Sequence, residues 1–111
     1  MNAHGFLHPG RFSVRLMLQQ RIESDDGHGG FTGAWQDIEA VWAGIVPVEG
    51  IVTRQADNTQ TAITHWIYVR QRGDVLPGMR LAKAGRIFDI ETVLDPDETG
   101  RYQVLKCVER S

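Results

Sequence analysis

The sequence contains a single cysteine, Cys107, and it has neither a long apolar run nor a strong excess of charge. One cysteine excludes an intrachain disulfide and is compatible with a reducing compartment. No apolar stretch approaches the ~18 residues of a membrane-spanning helix, and residues 1–10 lack the charged start of a secretory signal. We therefore expect a protein that is made and kept in a cytoplasm, without membrane contact, unless another component carries it out.

The balance of charge is also modest, because 12 basic and 14 acidic side chains leave a net charge of −2. Sequence-independent binding to nucleic acid needs a clustered basic face, whereas the arginines here are scattered among acids. General binding to duplex DNA by the single chain is therefore disfavoured. The 111 residues are enough for one domain, and residues 1–10, which hold glycine and proline and few apolar groups, are expected to form a flexible N-terminal arm.

The motifs of familiar enzymes and metal sites are missing. His4 and His8 have the spacing of a helical metal pair, but the glycines and proline around them argue against a helix. His65 has no recognisable serine or cysteine nucleophile, and the acidic turn at residues 95–100 lacks the other ligands of a calcium loop. We expect no catalytic residue, no metal and no cofactor, and we expect Cys107 to be a buried, inert thiol.

Strand-forming residues are what the sequence has in abundance. Residues 63–70 are so rich in β-branched and aromatic side chains that only a strand accommodates them. From Phe12 onward the pattern alternates, which places Leu16 and Leu18 on one face. The complete set of predicted strands is Phe12 to Ile22, Trp35 to Val48, Ile63 to Arg70, Met79 to Lys83, Arg86 to Val93 and Arg101 to Val108. The expected fold class is all-β: a small antiparallel barrel or sandwich of about six strands with long loops, connected as a meander.

Two polar segments between these strands are candidate functional loops. The first is a short glycine-rich loop, which is a candidate interface loop and contains Asp25, Asp26, Gly27, His28, Gly29 and Gly30. The second is too long for a hairpin connection, which marks it as a functional or mobile loop. It contains Glu49, Gly50, Ile51, Val52, Thr53, Arg54, Gln55, Ala56, Asp57, Asn58, Thr59, Gln60 and Thr61.

The three tryptophans are many for so short a chain, and their first expected role is to fill the core. A sharper alternative is a stacking face for single-stranded nucleic acid, as on an OB-like module. Trp66, Tyr68 and Arg70 alternate along one strand and share one face, as such a site requires.

The order and spacing of these features resemble the phage head–tail joining, or head-closure, family, which includes prophage and gene transfer agent members. The similarity runs from about residue 5 to the end of the chain. It is carried by Asp26 to Gly30, Trp35, Val41 to Pro47, Gly50, Thr64 and His65, Ile67 to Arg70, Arg80 and Leu81, Gly85 to Ile90, and Leu105 to Glu109.

This resemblance implies a structural protein of the virion, located at the head–tail interface and assembled in the host bacterial cytoplasm. It implies a ring, commonly a dodecamer, below the portal or adaptor protein, which retains packaged DNA without reading its sequence. A tail-terminator or tail-completion protein would dock on the other side. In some family members the loop after the second strand points into the channel, and here that loop is residues 49–61.

Overall fold

The computed structural model describes residues 12–25, 31–54, 60–96 and 98–110. These residues form six strands and confirm the all-β prediction. The strands are β1 (Val14–Asp25), β2 (Phe31–Arg54), β3 (Gln60–Arg70), β4 (Arg80–Lys83), β5 (Arg86–Leu94) and β6 (Tyr102–Arg110). In the described part of the chain no helix has the length and apolar character needed to cross a bilayer. The N-terminal arm predicted for residues 1–10 lies outside the described residues.

All neighbouring strands are antiparallel, and the sheet closes into a barrel in the order β1-β2-β3-β6-β5-β4. The predicted meander is therefore wrong, because β3 pairs with β6 and β4 pairs with β1. The physical reason is the connection between β3 and β4, residues 71–79, which is too long for a hairpin. It crosses one end of the barrel and buries Val75 and Met79 in the core.

A polar contact holds this crossing connection against the barrel. The Arg72 guanidinium pairs with Glu39 on β2 and donates two hydrogen bonds of 2.9 Å to the Asp74 carboxylate. Hydrogen bonding from Arg72 holds the pKa of Asp74 below its ordinary value. The backbone N–H of Arg72 also donates to the side chain of the buried Gln103 on β6. The connection is thus tied to two strands of the barrel.

The core lies inside the barrel and is built by alternating residues of every strand. Leu16 and Leu18 are both buried there, as the alternation along β1 predicts. Cys107 is fully buried, as predicted, and burial raises the pKa of its thiol above the ordinary value, so it stays protonated. The largest fully buried side chains are Phe88, Leu16, Leu18, Ile63, Ile67, Leu81, Ile90 and Leu105.

The prediction that residues 49–61 form a loop is wrong for most of that segment. β2 continues to Arg54 and β3 starts at Gln60, with Ile51 opposite Ile63 and Arg54 opposite Gln60. A register shift between Pro47 and Ile51 interrupts the alternation, which is why no period is visible in the sequence. Residues 55–59 lie outside the described residues. In the first candidate loop, Asp25 ends β1 and residues 26–30 lie outside them too.

The turn between β4 and β5 contains only Ala84 and Gly85, and both have positive φ, at 48° and 85°. A two-residue hairpin turn with both φ values positive matches the twist of the strands and favours Asn-Gly.

We expect Gly85→Ala to lower the free energy of unfolding by about 1–2 kcal/mol, because a β-carbon is strained in the left-handed region. The matched variant Ala84→Asn should raise it, since asparagine tolerates that conformation better than alanine. Urea unfolding of the two variants checks both signs. Equal destabilisation by the two variants would contradict this account of the turn.

Candidate interaction surfaces

The strands β2 and β3 extend beyond the barrel as a two-stranded arm, which we call the β2–β3 arm and define as residues 51–54 and 60–62. The ladder between β3 and β6 covers only His65 to Arg70, so the arm has no β6 partner. A single hairpin has two free edges, and free edges favour pairing with another chain. The arm carries eight residues of the proposed channel segment, Glu49 to Arg54, Gln60 and Thr61, on its strands or at its base.

A second arm, the β1–β2 arm, consists of residues 20–25 and 31–36 and extends beyond the last pair between β1 and β4, Gln19 with Arg80. Antiparallel pairing puts the two arms at opposite ends of β2. The described chain is accordingly elongated, with principal extents of 53 × 32 × 27 Å. Each arm starts at an irregularity of register, between Leu18 and Gln19 or between Pro47 and Ile51. Such bulges bend a strand away from its sheet.

Polar side chains bridge the two strands at the base of the β1–β2 arm. Gln19 donates to Asp37 at 2.7 Å, and Gln20 donates to Gln36 at 3.0 Å. Arg80 of β4 donates to Gln19 at 2.7 Å, and its guanidinium lies 4.1 Å from the ring centroid of Trp35. These contacts fix the base of the arm on the barrel. Its tip includes Asp25, the one residue of the predicted interface loop that the structure describes.

The predicted stacking face of Trp66, Tyr68 and Arg70 is assembled on the outside of the barrel, but it is not available as a stacking platform. Tyr68 is only 2% exposed, because Phe12 and Val104 pack in a cluster with it. This burial raises the pKa of the Tyr68 hydroxyl above its ordinary value. Trp66 is half-buried, with the Lys106 ammonium 5.1 Å from its ring centroid. The strand alternation identified the shared face, but it could not reveal that Phe12 and Val104 pack against Tyr68.

His65 points into the barrel and is packed there. Its ring meets Phe88 edge to face at 5.1 Å, and its Nδ1 lies 2.9 Å from the Thr64 hydroxyl. Its Nε2 lies 3.8 Å from a Glu109 carboxylate oxygen, which Arg86 also binds. Burial lowers the pKa of His65, against the opposing effect of Glu109. No group of three potential metal ligands lies together among the residues that the structure describes.

Protonation of His65 is expected to destabilise the fold. Because its pKa is lower in the folded than in the unfolded chain, the unfolded chain binds more protons as the pH falls. Stability is therefore lost as the pH falls below about 6.5, the value of an unperturbed histidine. Urea unfolding of the wild type and His65→Gln between about pH 7 and pH 5 measures this effect. The variant retains the other histidines, and an equally steep decline in its stability would contradict the assignment to His65.

The three tryptophans do not fill the core of the barrel, although the sequence predicted that role for them. Trp35 and Trp66 are half-buried, and Trp42 is 55% exposed on the outer face of β2. The guanidinium of Arg15 lies 5.6 Å from the ring centroid of Trp42. The expectation of core tryptophans is wrong because odd-numbered Val41 and Ala43 take the inner positions of this strand.

Trp42 borders a cavity of about 600 Å³ on the side of the barrel, whose lining also includes Phe12, Val41, Val69 and Arg70. Exposed tryptophan and arginine beside a concavity are typical of the centre of a protein–protein interface. We call Trp42, Arg15 and Arg70 the Trp42 surface. Sequence reasoning missed it, although the alternation of Val41, Trp42 and Ala43 could have placed Trp42 outside.

Comparisons with known proteins point to one family. The phage head completion protein family matches residues 7–110 of the chain. Among solved structures, a chain of the virion of the native gene transfer agent particle is 26% identical, with a TM-score of 0.60 over 86% of this chain and 94% of that chain. A protein of Shigella flexneri 2a, solved in solution, is 22% identical, with a TM-score of 0.70 over 94% of this chain and 97% of that one, and it supports the fold. No curated protein sequence matches the chain significantly.

Proposed function

Because the chain belongs to the phage head completion protein family, we propose that it is a structural, non-catalytic subunit of the connector between the head and the tail of a phage-like particle. In this role it forms a ring below the portal or adaptor protein, helps to retain packaged DNA and offers a docking surface to a tail-terminator or tail-completion protein. The observation that carries the proposal is the similarity to a chain within a gene transfer agent virion, over nearly all of both chains.

The shape of the molecule supports this role. A connector subunit must contact one component above it and another below it, and two arms at opposite ends of β2 offer such contacts. Between them, the closed barrel is a rigid spacer with a buried core. A cyclic ring requires two different patches on each subunit, and the side of a barrel has room for both.

The β2–β3 arm is our candidate for the element that reaches the channel. It carries most of the segment that the family resemblance places there, and its free edges would be able to pair with neighbouring arms. The net charge of −2 is compatible with a channel along which DNA slides without being retained by a basic surface. The segment from Asp25 to Gly30, which begins at the last residue of β1, is the candidate for contact with a neighbouring subunit or protein.

The test is to shorten the β2–β3 arm by replacing residues 51–62 with an Asn-Gly turn. The purified variant should keep the unfolding midpoint of the wild type, because the buried Ile63 and the barrel ladder remain. Particles assembled with it should lose packaged DNA or fail to join tails, measured as protected DNA and as infectious or transducing titre.

The matched control is the same replacement in the β1–β2 arm, removing residues 22–34. It shortens the opposite end of the molecule by a similar length, and it should spare DNA retention while altering contacts at that end. Normal DNA retention and normal titre from a folded β2–β3 arm variant would contradict the channel role. Normal particles formed in the complete absence of the protein would contradict the connector role itself.

A further inference from the structure

The Trp42 surface has the chemistry of one half of an interface. Its apolar part is Trp42, which is 55% exposed, and its charged part is two exposed arginines, Arg15 and Arg70. A neutral aromatic surface flanked by cations fits a partner with an aliphatic side chain flanked by carboxylates.

A surface of that kind lies elsewhere on the same chain. Leu94, at the end of β5, is 42% exposed, and the turn after it carries the exposed carboxylate of Glu98 and the half-buried Asp95. The half-buried Glu91 precedes Leu94 by three residues on the same strand. We call Leu94, Asp95 and Glu98 the Leu94 surface. The Asp95 carboxylate accepts a hydrogen bond of 2.7 Å from the Gly100 N–H within the turn, which leaves Glu98 as the exposed acid of the rim. The aliphatic centre and this acidic rim complement the aromatic centre and basic rim of the Trp42 surface.

The topology places the two surfaces on opposite sides of the barrel. In the order β1-β2-β3-β6-β5-β4, β5 is three positions from β2, which is halfway around the ring of six strands. The two surfaces are also connected across β3 and β6. One row of paired residues runs from Gly44 to Tyr68, then to Val104 and to Leu94, and Trp42 is two residues from Gly44.

We propose that the Trp42 surface of one copy binds the Leu94 surface of the next copy, an inference that rests on the ring proposed above. Two different, complementary patches on opposite sides of the barrel generate a head-to-tail contact that repeats, whereas a single self-complementary patch would stop at a dimer. Arg15 and Arg70 then face the acidic rim with Glu98, and Trp42 packs on Leu94.

Cross-linking tests this contact directly. We would place one cysteine beside each surface of a single chain, as Ser13→Cys with Pro96→Cys, two exposed positions that leave Arg15, Arg70 and Glu98 in place. The purified protein is then treated at high concentration with a bismaleimide. The native Cys107 is fully buried and does not react. A ladder of linked copies beyond the dimer is expected from the double variant. Each single variant alone should remain monomeric, because its cysteine faces a surface without one.

The control pair is Arg21→Cys with Lys83→Cys, two exposed residues outside both surfaces. It should give no ladder. Adding Arg15→Glu and Trp42→Ala to the reactive double variant should abolish its ladder, while circular dichroism and the unfolding midpoint stay at the values of the parent. Both substitutions lie on the exposed face and leave the core unchanged.

Two results would overturn the proposal. Dimers from either single variant would show a self-complementary contact instead, and no ladder from the double variant would show that the two surfaces do not meet. The double variant could give no ladder while particles that carry Trp42→Ala fail to join tails. In that case the Trp42 surface would bind a portal or tail protein instead of a second copy, and the connector role would stand. If the double variant gave a clear ladder but particles without the protein were intact, the contact between copies would stand and the connector role would be rejected.

Discussion

Closure of the sheet is the constraint on which the rest of the molecule depends. The pairs of β1 with β4 and of β3 with β6 turn six strands into a ring whose inner face holds the core. Among the described residues, closure gives every strand a neighbouring strand on both sides, whereas each arm consists of only two paired strands. It requires the connection of residues 71–79 to cross one end, and the ion pairs of Arg72 hold it there. The inner face of the barrel is filled by the core, so the surfaces exposed to other molecules are the arms and the outer face.

One part of the outer face of the barrel is covered by packed side chains, and another part is exposed to solvent. Phe12, Tyr68 and Val104 form a small second cluster outside the barrel, which buries an aromatic residue that alternation alone would leave in solvent. Trp42 lies close to this cluster along the sheet and is not covered in the same way. Because Tyr68 is covered, Trp66, Tyr68 and Arg70 do not form an open stacking face, whereas Trp42 is exposed and is our proposed site of protein contact.

Much of the fold could be predicted from local sequence. Alternation identified the buried face of β1, and β-branched and aromatic runs located six strands to within a few residues, apart from the long extension of β2. The strand order could not be predicted, because it depends on where the connection of residues 71–79 crosses, and its apolar residues Val75 and Met79 look like ordinary loop residues in isolation. The β2–β3 arm, residues 51–54 and 60–62, was missed because the register shift after Pro47 hides its period. The exposure of Trp42 could have been inferred from its alternation with the buried Val41 and Ala43, whereas the burial of Tyr68 depends on side chains that are far apart in sequence.

The length of β2 has a mechanical consequence. This one strand of 24 residues runs through both arms and the barrel wall between them, so a load applied at either tip acts along a single backbone. Antiparallel hydrogen bonds lie perpendicular to the strand, and a pull along it would have to shear many bonds of the barrel at once instead of opening them one by one. Force applied at one end of β2 would therefore be transmitted to the other end through the paired wall of the barrel.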